Sequence, residues 1–207
     1  SDLLKFGAWG TTVGGGLVVS KIEQRTDWSL EYNLELGRLA EDNGFDYALS
    51  QVRYMAGYGA AYQHESTSLS LALLLATERL NVIAAVHPGL WQPGVLAKFI
   101  ASADQISGGR AAINVVSGWF KDEFTQLGEP WLEHGERYRR AEEFVETVRG
   151  LWGTWEPGAV IADQAAGVYA DASRVRQLAG DGEFFQVRGP LLHPGSKQGE
   201  PVIVQAG

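Results

Sequence analysis

Short apolar runs alternate with longer stretches of helical periodicity, and this rhythm restricts the fold more than any other feature of the chain. The runs span residues 4–9, 45–50, 81–86, 111–116 and 201–205 and are rich in branched and aromatic side chains. Near-continuous apolarity, rather than strict alternation, predicts strands covered on both faces. Between them, Tyr32, Leu36, Leu39 and Ala40 recur at helical spacing, and Asn43-Gly44 supplies a stop. Residues 65–77 are apolar almost all round, as in a well-buried helix. A third stripe, Val95 to Ile106, lies between Pro93, suited to a first helical turn, and Gly108-Gly109, suited to a tight exit. A fourth runs from Tyr138 through Phe144 and Val148 to Trp152. The order βαβαβαβα, then a long segment and a last strand, implies right-handed crossovers and a parallel sheet. Pattern alone leaves open whether that sheet is barrel or doubly wound.

Composition narrows the chemistry. The 207 residues carry 17 Lys and Arg against 25 Asp and Glu, a net charge of −8, which gives nucleic acid or an anionic membrane no electrostatic support. No apolar run approaches the ~18 residues of a membrane span. Cysteine is absent, so disulfides, thiolate metal sites and thiol nucleophiles are excluded, and a cytoplasmic location is compatible. His64, His87, His134 and His193 never stand at metal-ligand spacing, and no metal site is expected.

Two stretches interrupt the rhythm. Residues 10–27, with Gly14-Gly15-Gly16, follow the first strand, and residues 51–64, rich in Tyr, Gly and Gln, follow the second. Both leave the C-terminal ends of strands, where parallel α/β folds place their sites. The triglycine lies in no phosphate-binding signature and reads as a flexible loop. A third irregular stretch, 154–198, is expected as an insertion over the mouth of a single domain. Five strands fall short of an eight-stranded barrel of ~250 residues, so the chain is read as an incomplete N-terminal portion of one domain.

Several residues have both a plain and a functional reading. Asn114 puts an amide inside an apolar strand, where it needs partners, either neighbouring backbone or a heteroaromatic ligand. Arg53, just past the second strand, fits an ion-paired surface role or a place at the mouth. Glu123 is exposed by pattern. Arg137-Tyr138-Arg139-Arg140 opens the fourth helix, and its arginines either pair with Glu142, Glu143 and Glu146 or bind phosphate. His64-Glu65 begins the second helix and suits a capping role. Trp9, Trp91 and Trp119 sit at strand ends, where they can wall an apolar pocket.

The segments Gly-Gly-Leu-Val-Val-Ser-Lys-Ile-Glu-Gln-Arg-Thr at 15–26, Phe-Asp-Tyr-Ala-Leu-Ser-Gln at 45–51 and Tyr-Gln-His-Glu-Ser at 62–66 resemble the bacterial dimethyl-sulfone monooxygenases. So do Asn-Val-Val-Ser-Gly-Trp-Phe-Lys from Asn114 and Glu-Arg-Tyr-Arg-Arg to Arg140, and the likeness covers residues 5–152. From residue 155 on, Gly-Glu-Phe-Phe-Gln-Val-Arg-Gly-Pro-Leu and Pro-Val-Ile-Val-Gln-Ala-Gly resemble the nitrilotriacetate and dibenzothiophene-sulfone monooxygenase branch. Both groups belong to the luciferase-like superfamily of flavin-dependent (β/α)8 barrels.

The resemblance implies a TIM barrel of the bacterial luciferase type and a two-component monooxygenase. It implies reduced FMN from a separate NAD(P)H-dependent flavin reductase, O2, and a small organosulfur substrate, with dimethyl sulfone leading and methanesulfinate and formaldehyde as products. A homo-oligomer is expected on the same ground. Positions matching Val52, Arg53, Asn114, Glu123, Arg137 and Tyr138 contact FMN in the related pyrimidine monooxygenases. Arg53 and His64, at the expected mouth, are the candidates for polar groups near the reacting centre. Two other readings are a deazaflavin-dependent oxidoreductase and a non-catalytic flavin-binding or partner subunit with an incomplete barrel.

Overall fold

The computed structural model describes residues 3–10, 19–57, 59–193, 195 and 197–205. The Gly14-Gly15-Gly16 loop and the terminal Ala206-Gly207 lie outside the described residues. Two compact units emerge, one of residues 1–87, 110–131 and 202–207, the other of 88–109 and 132–201.

The first unit holds a parallel five-stranded sheet in the order β1 (Gly7–Gly10), β2 (Tyr47–Ser50), β3 (Asn81–Val86), β4 (Ala111–Val115) and β7 (Val202–Val204). All five expected strands form, and every pairing is parallel. The first two begin later than their apolar runs. Leu4 is 84% exposed, and the Phe6 amide donates to the Asp46 carboxylate at 2.9 Å, so ladder pairing starts only at Gly7 opposite Tyr47. The centre of the sheet is dry: Val82, Val86, Ile113 and Val115 are fully buried.

Helix α1 (Leu30–Asp42) starts where the Ser29 hydroxyl accepts the Tyr32 amide, and ends before Gly44, whose φ of 79° suits glycine. Helix α2 (Ser66–Ala76) is capped by Glu65, whose carboxylate accepts the Thr67 and Ser68 amides at 2.9 and 2.8 Å. The two helices approach closely at Gly37, where a Cβ would stand 2.8 Å from Leu73 Cδ2. Contrary to the all-round burial expected of α2, Leu75 is exposed, because its buried face is the stripe Leu69, Leu73 and Leu74. The short α4 (Lys121–Gln126) was not visible in the sequence pattern.

The second unit contains α3 (Pro93–Ser107) and α5 (His134–Trp152), packed on each other, and a hairpin of β5 (Val160–Asp163) and β6 (Val168–Ala170). Its core is Leu96, Ile100, Phe144, Val148 and Leu151. The Trp152 indole donates to Ala97 O at 3.0 Å and ties the two helices together. The hairpin lies inside the stretch expected to be irregular. Among the described residues no helix is long and apolar enough to cross a membrane.

Candidate functional site

At the C-terminal ends of β1 to β4 the sheet-bearing unit opens a cavity of about 240 Å³. Leu49, Ala85, Asn114 and Val116 come from the strand ends, and Trp9 and Trp119 form apolar walls. Gln51, Val52 and Arg53 leave β2 along its rim, while His87 and Glu123 complete the lining. A concave, mostly apolar site with a few converging polar groups is how small-molecule sites are built.

The polar groups differ in how they are held. In β4, Ile113 and Val115 are fully buried, whereas Asn114 between them belongs to the cavity lining. Its amide makes no hydrogen bond within the described residues, which leaves donor and acceptor for a ligand. The Arg53 guanidinium lies 5.4 Å from the Trp119 ring and makes a long 3.5 Å bond to Gly57 O. No carboxylate stands within ion-pair distance of it among the described residues.

Glu123, exposed by sequence pattern, is instead 3% exposed. The first turn of α4 aims it inward, where one carboxylate oxygen accepts the Tyr54 amide and the other faces His87 Nε2 at 3.9 Å. His87 Nδ1 donates to Val116 O at 3.0 Å. Burial holds the His87 pKa below the usual histidine range, opposed by the Val116 carbonyl and Glu123, while Arg53 lowers it further. Gly118, with φ 88°, lets the loop after β4 pass: a Cβ there would meet the Phe124 ring at 2.7 Å.

Val52, Arg53, Asn114 and Glu123 are thus brought together on one cavity. His64 is not part of that lining. Its Nε2 meets Trp28 O at 2.7 Å and its ring stacks on Trp28 at 4.9 Å. Trp28, with Met55, Ala60 and Tyr62, lines a second cavity of about 200 Å³ in the same unit, and Arg53 belongs to both. Sequence reasoning missed His87 as a site residue. The available signal was its position directly after β3, at the C-terminal edge of a parallel sheet.

Arg137 and Tyr138 lie in the first turns of α5 in the second unit. Arg137 donates from Nη1 to Leu132 O at 2.7 Å, and Tyr138 is half exposed beside His134. Pairing within its own helix, one of the two readings of this basic cluster, does not form for Arg139 or Arg140 among the described residues. Arg139 pairs with Glu183 at 3.2 Å, and Arg140 lies over Phe185. Glu143 is taken instead by the Phe184 and Phe185 amides, which compete for it more closely than a long side chain can.

Residues 5–207 match the family model described as luciferase-like monooxygenase. The chain is 60% identical over 152 residues to the FMNH2-dependent dimethylsulfone monooxygenase of Pseudomonas putida, covering 73% of this chain and 42% of that protein. It is 34% identical over 195 residues to nitrilotriacetate monooxygenase component A of Aminobacter aminovorans, covering 86% of this chain and 43% of that one. The second alignment is the longer, in keeping with a dimethyl-sulfone-like N-terminal part followed by a stretch that resembles the other branch. A crystal structure of a long-chain alkane monooxygenase superposes with a TM-score of 0.86 at 28% identity, over 100% of this chain and 52% of that one. The chain spans less than half the length of these two sequence relatives. By sequence and by fold, this chain belongs to the luciferase-like monooxygenase family.

Proposed function

We propose that the chain carries the flavin cavity of a two-component, FMNH2-dependent monooxygenase that acts on a small organosulfur compound, with dimethyl sulfone the leading candidate. The observation behind this reading is the convergence of Asn114, Glu123, Arg53 and Val52 on one cavity at the strand ends. The donor set suits a flavin. A ring with a polar edge and two flat faces needs an amide free of protein partners, which Asn114 provides, and aromatic walls, which Trp9 and Trp119 provide. The 60% identity to a dimethylsulfone monooxygenase supports the substrate.

When bound, reduced FMN supplies the two electrons that activate O2 for insertion of one oxygen atom. The protein's part is binding, orientation and exclusion of water. Asn114 would hydrogen-bond the ring edge, and Val52 would pack beside it. Trp9 and Trp119 keep the cavity apolar, so that reactive oxygen species are not lost to water. Glu123 would present a buried carboxylate to the ring, and a phosphate role for Arg137 and Tyr138 rests on the resemblance alone. Arg53, common to both cavities, donates to a sulfonyl oxygen, and His64 fixes Trp28 in the wall of the second. Dimethyl sulfone then yields methanesulfinate and formaldehyde. One oxygen atom of O2 would leave in formaldehyde and the other in water, the two electrons being those the bound flavin supplies. A separate flavin reductase regenerates the reduced cofactor.

Anaerobic titration of reduced FMN into the protein, followed by O2 and dimethyl sulfone with product analysis, tests this. Tight binding with sulfone-dependent methanesulfinate is the expected result. Peroxide release without methanesulfinate would keep the enzyme class and discard the substrate. Failure to bind reduced FMN would discard the whole reading.

A further inference from the structure

His87 closes β3 and is 3% exposed. Because a carbonyl can only accept, the contact with Val116 O puts the hydrogen of the neutral ring on Nδ1 and leaves Nε2 a bare acceptor. That nitrogen is buried without a hydrogen-bond partner among the described residues and faces Glu123 Oε2, itself an acceptor, at 3.9 Å. Two acceptors opposed in a dry wall are poorly satisfied until a proton enters between them. The other oxygen of Glu123 takes the Tyr54 amide, and Tyr54 directly follows Val52 and Arg53. A line of polar contacts therefore runs from Val116 through His87 and Glu123 to Tyr54. It joins the ends of β4 and β3 to the loop after β2.

We propose that His87 is a positioning residue of the cavity: once protonated it donates from Nε2 to Glu123 Oε2, and through Glu123 it sets the 51–54 loop and the charge offered to a reduced flavin ring. The charged groups that act on it are Glu123 from α4 and Arg53 from the loop after β2. The β4 side contributes the uncharged Val116 carbonyl, and the Phe124 ring packs 5.5 Å away. With His87 neutral, the charges of Arg53 and Glu123 cancel. With it protonated, the cavity carries one net positive charge, which favours the reduced flavin ring, largely anionic at neutral pH. Burial keeps the proton off the empty site, so entry of the anionic ring and proton uptake are coupled. Only this ligand half rests on the proposed function; the link from His87 to Tyr54 does not.

The link is tested first in the ligand-free protein by NMR, where four histidines make the imidazole signals assignable. His87 is expected as the Nδ1–H tautomer. The Tyr54 amide proton should move upfield with the same midpoint as His87, because protonation draws carboxylate charge away from that amide. His87→Asn, which keeps a donor toward Val116 and has nothing at Nε2, and Glu123→Gln should both abolish that movement. A Tyr54 amide that ignores the His87 titration in the unmodified protein overturns the proposal.

The second measurement is the affinity for reduced FMN, taken anaerobically as a function of pH. Tightening by about tenfold is expected as the pH falls from above neutrality toward the ligand-free His87 midpoint, the scale of one hydrogen bond to a charged group. His87→Asn should lose the slope. His87→Gln, whose amide donates toward Glu123 at every pH but carries no charge, should lose the slope as well. A flat profile in the unmodified protein, or an unchanged slope in His87→Asn, overturns the coupling. No binding of reduced FMN at any pH would sink the flavin reading of the cavity, and the amide titration would then decide the His87 link alone.

Discussion

At Asn114, β4 places an amide between two fully buried hydrocarbon side chains and gives it no partner among the described residues. An unmet amide in a folded strand is tolerated where a ligand completes it. Asn114→Ala should therefore weaken reduced FMN binding by about threefold to tenfold, the value of one neutral hydrogen bond, with thermal stability unchanged or raised. Isothermal titration and a melting curve on the same sample decide it, and a large loss of stability with unchanged affinity would make Asn114 structural. Arg53 presents a stronger donor, because its guanidinium is charged and has no carboxylate partner among the described residues. Arg53→Ala should cost about tenfold to a hundredfold in kcat/KM for the sulfone. His64→Ala should cost less, since His64 acts on Trp28 rather than on the main cavity; equal losses in steady-state assays would refute that ranking. Asn114 was legible in the sequence because a polar residue stands out in an apolar strand. His87 was not, because a single histidine at a strand end carries no spacing signal, and its partners Val116 and Glu123 are 29 and 36 positions away.

Elements were legible where periodicity and burial agree. Strands β3 and β4 and the helices α2, α3 and α5 bury an apolar stripe. By contrast, Leu36 and Leu39 of the stripe that announces α1 are exposed and only Ala40 is buried, and Trp9 of β1 and Val202 of β7 are exposed. The misses have local causes. At β1, apolarity extends three residues beyond the ladder because Asp46 takes the Phe6 amide. Helix α4 is six residues long, too short for periodicity to register. Hairpin β5–β6 is made of strands of four and three residues that are largely exposed. Nor did the sequence announce the device that finishes α2. The Arg110 guanidinium donates to the carbonyls of Leu74, Thr77 and Leu80 at 2.7, 3.0 and 2.7 Å, and to the Thr77 hydroxyl at 3.1 Å. It thus satisfies last-turn acceptors that have no helical partner. Arg110→Ala should destabilise the protein by about 2 kcal/mol, part of the loss being recovered by water because the group is partly exposed. Lysine, with a single ammonium, should rescue less than half of it in urea titrations. Full rescue by Arg110→Lys would show that charge, not the planar fork, does the capping.

For the molecule as a whole, each compact unit contains one histidine whose pKa is held low, His87 in the sheet-bearing unit and His193 in the helical one, burial being the leading cause in both. A histidine depressed below its ordinary 6.5 takes up its proton in the unfolded chain before the folded one. The unfolded state then binds more protons over the interval, so stability falls as the pH drops from neutrality through 6.5 toward the folded values. The carboxylates act lower down. Glu41 and Glu65 titrate below their ordinary 4.5: burial pushes them up, but the backbone amides and hydroxyls they accept outweigh it. Their contribution is complete above 4.5 and is lost only as the pH falls past that value. Acid denaturation should therefore show two limbs, a shallow one beginning near 6.5 and a steeper one below 4.5. Melting temperatures by circular dichroism across this range should show His87→Asn flattening the upper limb while leaving the lower one in place. Glu65→Gln should do the reverse, with a lower melting temperature at neutrality, because the neutral amide accepts the helix N–H groups less well than the carboxylate. A single limb in the unmodified protein, or an upper limb that survives His87→Asn intact, would mean that the buried histidine of the cavity does not titrate where its surroundings require.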